Sequence, residues 1–142
     1  MKKVGTLVLC AVAITAIVNW KVAPVYGFPP FKKEFENLYV KAEPATDAEK
    51  AIKEGVETQK CGVCHTGPEG KNKKVRNTYG KAISKLIPEP MNKEAMDALK
   101  KNPAKIKEIL EKAAKEPSDP KVPTSPTFGD LIKEGKLPGK EE

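Results

Sequence analysis

The sequence predicts an all-α protein with one small domain. Apolar residues recur at three- and four-residue spacing through five or six short segments, several of these begin with a helix-capping residue, and no segment shows a strand's alternation of apolar and polar residues. A chain of 142 residues is long enough for one domain and too short for two comfortable ones. The hydrophobic share is 39%, but much of it sits at the N-terminus, so the folded part is poor in core.

Residues 1–27 explain that unevenness. Lys2 and Lys3 form a positive start, Val4 to Val18 is an apolar run, and Val25-Tyr26-Gly27 ends it with a cleavage-compatible pattern. We read this as an export signal, with the domain spanning 28–142. The apolar run is shorter than the roughly 20 residues a membrane-spanning helix needs. Cys10 and Trp20 leave with the leader; Leu9 stands where a lipoprotein signal would have a small residue. The leader also carries Lys2, Lys3 and Lys21 and no acid, so a formal charge of +7 falls to about +4 in the remainder. Its lysines and acids interleave, the pattern of solvated helix faces rather than a nucleic-acid footprint.

The elements follow in order. Pro29 and Pro30 stand at a tolerated helix start, and Phe28, Phe31, Phe35 and Leu38 share a face after them. Thr46-Asp47-Ala48-Glu49 is a capping box, and Ala48, Ile52 and Val56 continue that helix to Cys61. The sequence "TGPEGKNKKVRN" reads as a polar loop. Tyr79, Ile83, Leu86 and Ile87 mark a helix stopped by Pro88. Asn92 caps a helix bearing Ala95, Met96 and Leu99, and Asn102-Pro103 opens one bearing Ile106, Ile109, Leu110 and Ala113. The Pro-rich stretch "EPSDPKVPTSP" predicts an extended surface segment, and Thr127 begins a last helix with Phe128, Leu131 and Ile132, closed at Gly135. Each face offers only three or four large residues, which barely offsets the entropy of ordering the chain. Small domains of this kind commonly need a staple, a metal or a cofactor.

The sequence "CGVCH", Cys61 to His65, supplies the candidate. Cys-x-x-Cys-His is the attachment pattern of a c-type haem: two thiols on one turn reach the two vinyl groups of a porphyrin, and the next residue presents an imidazole to the iron. Cys61 and Cys64 are therefore the expected thioether residues and His65 the proximal ligand. A structural zinc needs four ligands, and residues 28–142 contain no further cysteine or histidine. No βαβ pattern supports a redox dithiol, and a disulfide between Cys61 and Cys64 closes too small a loop to stabilise much.

With "CGVCH", the chain resembles the small monohaem cytochromes c. Its "RNTYGKAI" from Arg76 and its tail "PTFGDLIKEGKLP" resemble exported cytochromes of planctomycete and anammox-type bacteria. The resemblance implies a cytochrome c-like helical domain packed around one covalent haem, serving as an electron carrier in the periplasm or another extracytoplasmic compartment. It also implies pairing with a like chain or another small cytochrome. Some such pairs use a cysteine as distal ligand, but residues 28–142 leave none for that role.

For the distal side of the iron, Met91 in "IPEPM" is the first candidate and Met96 the second, because thioether sulfur raises the potential and suits a carrier. Met96 has a rival reading as a core side chain beside Leu99. An open site, a lysine or a group from a partner completes the alternatives. Tyr79 and Asn77 are candidate hydrogen-bond donors to the haem, Tyr79 being otherwise a half-buried helix residue with its hydroxyl in water. Arg76 is a candidate propionate partner. Phe31, Phe35 and Phe128 are expected pocket walls. Lys71, Lys73, Lys74 and Arg76 form a cluster able to steer an acidic redox partner, or else an ordinary solvated loop. No catalytic acid, base or nucleophile stands beside the motif, so a carrier is expected rather than an enzyme. The rival is a gas-binding or sensing haem protein, or a haem subunit of a complex, with iron open to nitric oxide or carbon monoxide.

Overall fold

A computed structural model of the chain describes residues 28–89 and 92–139. Residues 1–27, expected to form the leader and containing Cys10 and Trp20, and the distal candidate Met91 lie outside the described residues. Among the described residues there are six α-helices: α1 Pro29–Tyr39, α2 Asp47–Gln59, α3 Thr78–Leu86, α4 Lys93–Lys100, α5 Pro103–Ala113 and α6 Phe128–Lys133. None of them is long and apolar enough to cross a membrane.

The helix starts obey local chemistry. Thr46 and Glu49 form a reciprocal capping box, with Glu49 N–H donating to Thr46 Oγ1 at 3.2 Å and the Glu49 carboxylate accepting from Thr46 N–H at 3.3 Å. Asn92 and Asn102 accept from the backbone three residues on, and Thr127 forms a second capping box with Asp130. The helix α3 stops at Leu86 because Ile87, ahead of Pro88, is forced into the extended region.

The core is built on α5, whose Ile106, Ile109, Leu110 and Ala113 are buried. Phe31 and Phe35 of α1 and Tyr79 and Ile83 of α3 pack into the same cluster, joined by Ile52 and Val56 of α2. Phe128 and Ile132 of α6 complete it. Most of these residues lay on the helical faces legible in the sequence.

Two expectations fail. The stretch after His65 is not a plain loop: His65–Thr66 (β1) pairs antiparallel with Asn72–Arg76 (β2), aligning His65 with Arg76 and Thr66 with Asn72 across an irregularity. The protein is therefore mostly helical with one small two-stranded sheet. Four of the five residues of β2 are exposed, so it has no apolar face to betray it. The Pro-rich segment is not extended either. Pro117 bridges Thr127, Ser118 N–H donates to the Pro126 carbonyl at 2.9 Å, and turns at Val122 and Ser125 fold the segment back on itself. The fixed φ of its prolines serves turns rather than an extended helix, because Asp119 and Ser125 supply side-chain hydrogen bonds that close them.

Candidate functional site

The cysteines lie where α2 breaks. At Lys60 the backbone takes φ +49°, an uncommon value for a residue with a Cβ, and the chain turns into a 3₁₀ segment over Lys60–Val63. Cys64 N–H donates to the Cys61 carbonyl at 3.2 Å, so both cysteines belong to one tight turn, and both are free thiols.

That turn is held by residues distant in sequence. Asn77, 1% exposed, donates from Nδ2 to the Gly62 carbonyl at 2.9 Å and accepts at Oδ1 from Gly80 N–H at 2.8 Å, which also caps α3. Its own N–H donates to the Cys64 carbonyl at 3.1 Å. Two glycines lie flush against the same backbone. A Cβ at Gly80 would stand 2.1 Å from the Cys64 carbonyl oxygen. One at Gly70, which has φ +66°, would stand 2.2 Å from the Cys61 carbonyl carbon. Asn77 is thus committed to the turn and is not a free donor to a ligand. Gly139 in turn packs on Asn77, where a Cβ would come within 2.0 Å of Nδ2.

The turn forms one wall of a cleft. Phe28, Phe31 and Phe35 contribute its aromatic side, Val63, Ile83 and Ile87 its aliphatic side, and Cys61, Cys64 and His65 its chemistry. The cleft is open to solvent and holds about 1160 Å³ of empty space when its mouth is counted. Lys73, Arg76 and Met96 also line it. Met96, the second of the two methionines weighed, thus lies half-buried in the cleft wall; Met91, the first, is not among the described residues.

The electrostatics suit a neutral ligand set. Burial, assisted by Cys61 and opposed by Arg76, pushes the Cys64 thiol up to about 12. Burial also lowers the His65 pKa, with Arg76 and Lys73 adding to the effect and the Val75 carbonyl opposing it. At neutral pH the imidazole is therefore uncharged and keeps a lone pair for a metal. No hydrogen bond of normal geometry reaches His65 Nδ1, although the atom is buried and the Val75 carbonyl is close enough to favour the charged ring.

Two sequence-based assignments, those of Tyr79 and Phe128, are revised. Tyr79 is fully buried with an unpartnered hydroxyl, so it is neither half-buried in water nor on the cleft wall. It lies in an aromatic row, 6.0 Å from Phe35 and 5.1 Å from Phe128 between ring centroids. Burial, with Tyr39 and Cys64 adding to it, holds its phenol well above the ordinary range. Phe128 stands behind Tyr79 and lines a different groove. In the basic cluster, Lys71 lies 4.0 Å from Glu69, whereas Lys73, Lys74 and Arg76 have no ion pair among the described residues.

Sequence reasoning missed Gly70, Gly80 and the clamping role of Asn77. The Asn-x-x-Gly spacing of "NTYG" was the available signal, since an Asn three residues ahead of a helical N–H is a cap.

A covalently attached porphyrin fits these residues: two free thiols on one turn, an imidazole with a buried orphan nitrogen, and apolar walls. Among the described residues no three His, Cys, Asp or Glu side chains converge to hold a metal ion. No family model, curated protein or solved structure matches the chain.

Proposed function

We propose that this protein is an exported carrier of single electrons, with one haem attached covalently at Cys61 and Cys64 and its iron held by His65. The observation that carries the reading is the convergence of the two free thiols and the one histidine on the wall of a single apolar cleft. When bound, the haem supplies a one-electron couple at iron, and the protein tunes and presents it.

The chain's own residues divide that work. Asn77, Gly70 and Gly80 fix the turn so that both thiols and the imidazole keep one orientation. The phenylalanines and Ile83 exclude water, which disfavours the more highly charged oxidised state and raises the potential. Arg76 is placed on the wall to meet a carboxylate, and Met96 offers a soft sulfur from the same cleft.

The test is the visible spectrum of the exported protein, oxidised and reduced, with the reduced form repeated under carbon monoxide. A low-spin haem with a weak methionine-to-iron band, indifferent to carbon monoxide and altered in Met96→Ala, is the expected result. A high-spin haem that takes up carbon monoxide would replace the carrier reading with gas binding.

A further inference from the structure

The helix α3 has a second working face. Its Gly80, Ile83 and Ile87 side looks into the cleft, while Lys81, Ala82, Lys85 and Leu86 form one side of a separate groove. The other side of that groove is the folded Pro-rich loop, through Pro117 and Pro120, with the buried ring of Phe128 beneath. Lys74 and Val75 of β2 also line the groove, and Val75 is 44% exposed.

The charge here is unlike that of the rest of the molecule. From Lys71 to Pro88 the sequence contains six cations and no acid. The helix α3 is the one α-helix among the described residues without an Asp or Glu. Lys105, Lys107 and Lys112 of α5 are each ion-paired within their own helix. Lys74, Lys81 and Lys85 have no ion pair among the described residues. Two acids, Glu89 and Glu116, also line the groove.

We propose that this groove docks an acidic segment of a partner protein, one that sets an apolar side chain on the Leu86–Phe128 floor and carboxylates against Lys74, Lys81 and Lys85. Charge complementarity selects the occupant: a second copy of a chain that keeps a formal charge of about +4 after residues 1–27 would be repelled. The apolar floor favours a peptide over a plain polyanion, since only the peptide has something to bury there. Arg76 lines both cavities, so the docked segment would lie beside the cleft without entering it. The proposal concerns docking alone and stands independently of the electron-carrier reading, which the spectrum tests separately.

The experiment titrates the exported protein into a fluorescein-labelled peptide, Glu-Glu-Glu-Leu-Phe-Glu-Glu-Glu, by anisotropy at low and physiological ionic strength. Lys81→Glu with Lys85→Glu is expected to weaken binding by about tenfold or more, because like charges then face the peptide. Lys107→Glu with Lys112→Glu, an equal change of charge on α5, is expected to stay within about twofold at physiological ionic strength. Circular dichroism confirms that both exposed-lysine variants are folded. Equal weakening by the two variants would overturn the proposal, leaving only general attraction. An all-Glu peptide that binds as tightly as the parent would overturn it in favour of a polyanion. A self-associated protein whose dimer is dispersed by the α3 variant would overturn it in favour of a second copy.

Discussion

The wall of the cleft that carries Cys61, Cys64 and His65 is held quite differently from the wall that carries Met96. Around the cysteine turn, Asn77 donates to the Gly62 and Cys64 carbonyls, and the backbones of Gly70 and Gly80 lie against the Cys61 and Cys64 peptides; all of these partners come from elsewhere in the chain. Around Met96, α4 is anchored by one buried residue, Leu99, and by the Lys100 ammonium 5.9 Å from the Phe28 ring centre. One half of the site is over-determined by tertiary contacts, and the other rests on a short half-exposed helix. Substitutions in the first should therefore act through folding, and those in the second through the chemistry of the proposed haem.

The largest effect is expected from removing both thiols. Cys61→Ala with Cys64→Ala should abolish covalent haem and leave little folded protein, because the cleft is then an unfilled gap in a thin core. Recovery of a compact, protease-resistant apoprotein would show that the polypeptide alone completes its core.

Next comes Gly70→Ala, which places a Cβ in the left-handed region and against the Cys61 peptide, at a combined cost of about 3 kcal/mol. Urea unfolding measures it, and a loss under 1 kcal/mol would mean that the turn yields easily. Asn77→Ala should cost about 2–3 kcal/mol by leaving the Gly62 carbonyl and Gly80 N–H unsatisfied. Asn77→Asp separates the two bonds, since it keeps the acceptor for Gly80 and loses the donor to Gly62.

On the other wall, Met96→Ala should cost only about 1 kcal/mol, below the usual range for core truncation because the side chain is half-buried. The reduced spectrum should nevertheless change. A large stability loss with an unchanged spectrum would reverse the contrast between the walls and return Met96 to the core.

The smallest effect lies away from both walls. Glu108 accepts from Lys105 at 2.8 Å and Lys112 at 2.7 Å, and those two lysines hold its carboxyl down to about 2 from 4.5. A depressed carboxylate contributes stability that is present above the unfolded value and lost as pH falls from 4.5 toward 2. Glu108→Gln should flatten the fall in urea midpoint across that window. The group is exposed, so the change is small beside any at the cysteine turn.

The legibility of the sequence divides along the same line. Helices with capping residues and apolar stripes, such as α2 behind Thr46 and α5 behind Asn102, could be read because both signals are local. The cysteines and histidine could be read because five consecutive residues carry the motif. What holds them could not. Gly70 and Gly80 look like ordinary loop and helix residues until the chain brings them against Cys61 and Cys64, and β2 has no apolar face to mark it as a strand. Tyr79 has an amphipathic side chain, and only the positions of Phe35 and Phe128 decide that its hydroxyl is buried. The proline content of Glu116 to Pro126 suggested an extended segment, whereas Asp119 and Ser125 close it into turns.

The central claim is that Cys61 and Cys64 carry a porphyrin, and peptide mass spectrometry tests it most directly. Trypsin cutting after Lys60 and Lys71 releases a peptide containing both cysteines and His65. After export and alkylation, this account predicts that peptide with one haem added and neither sulfur alkylated. The same peptide recovered with two alkylated thiols, or with a disulfide, would contradict it.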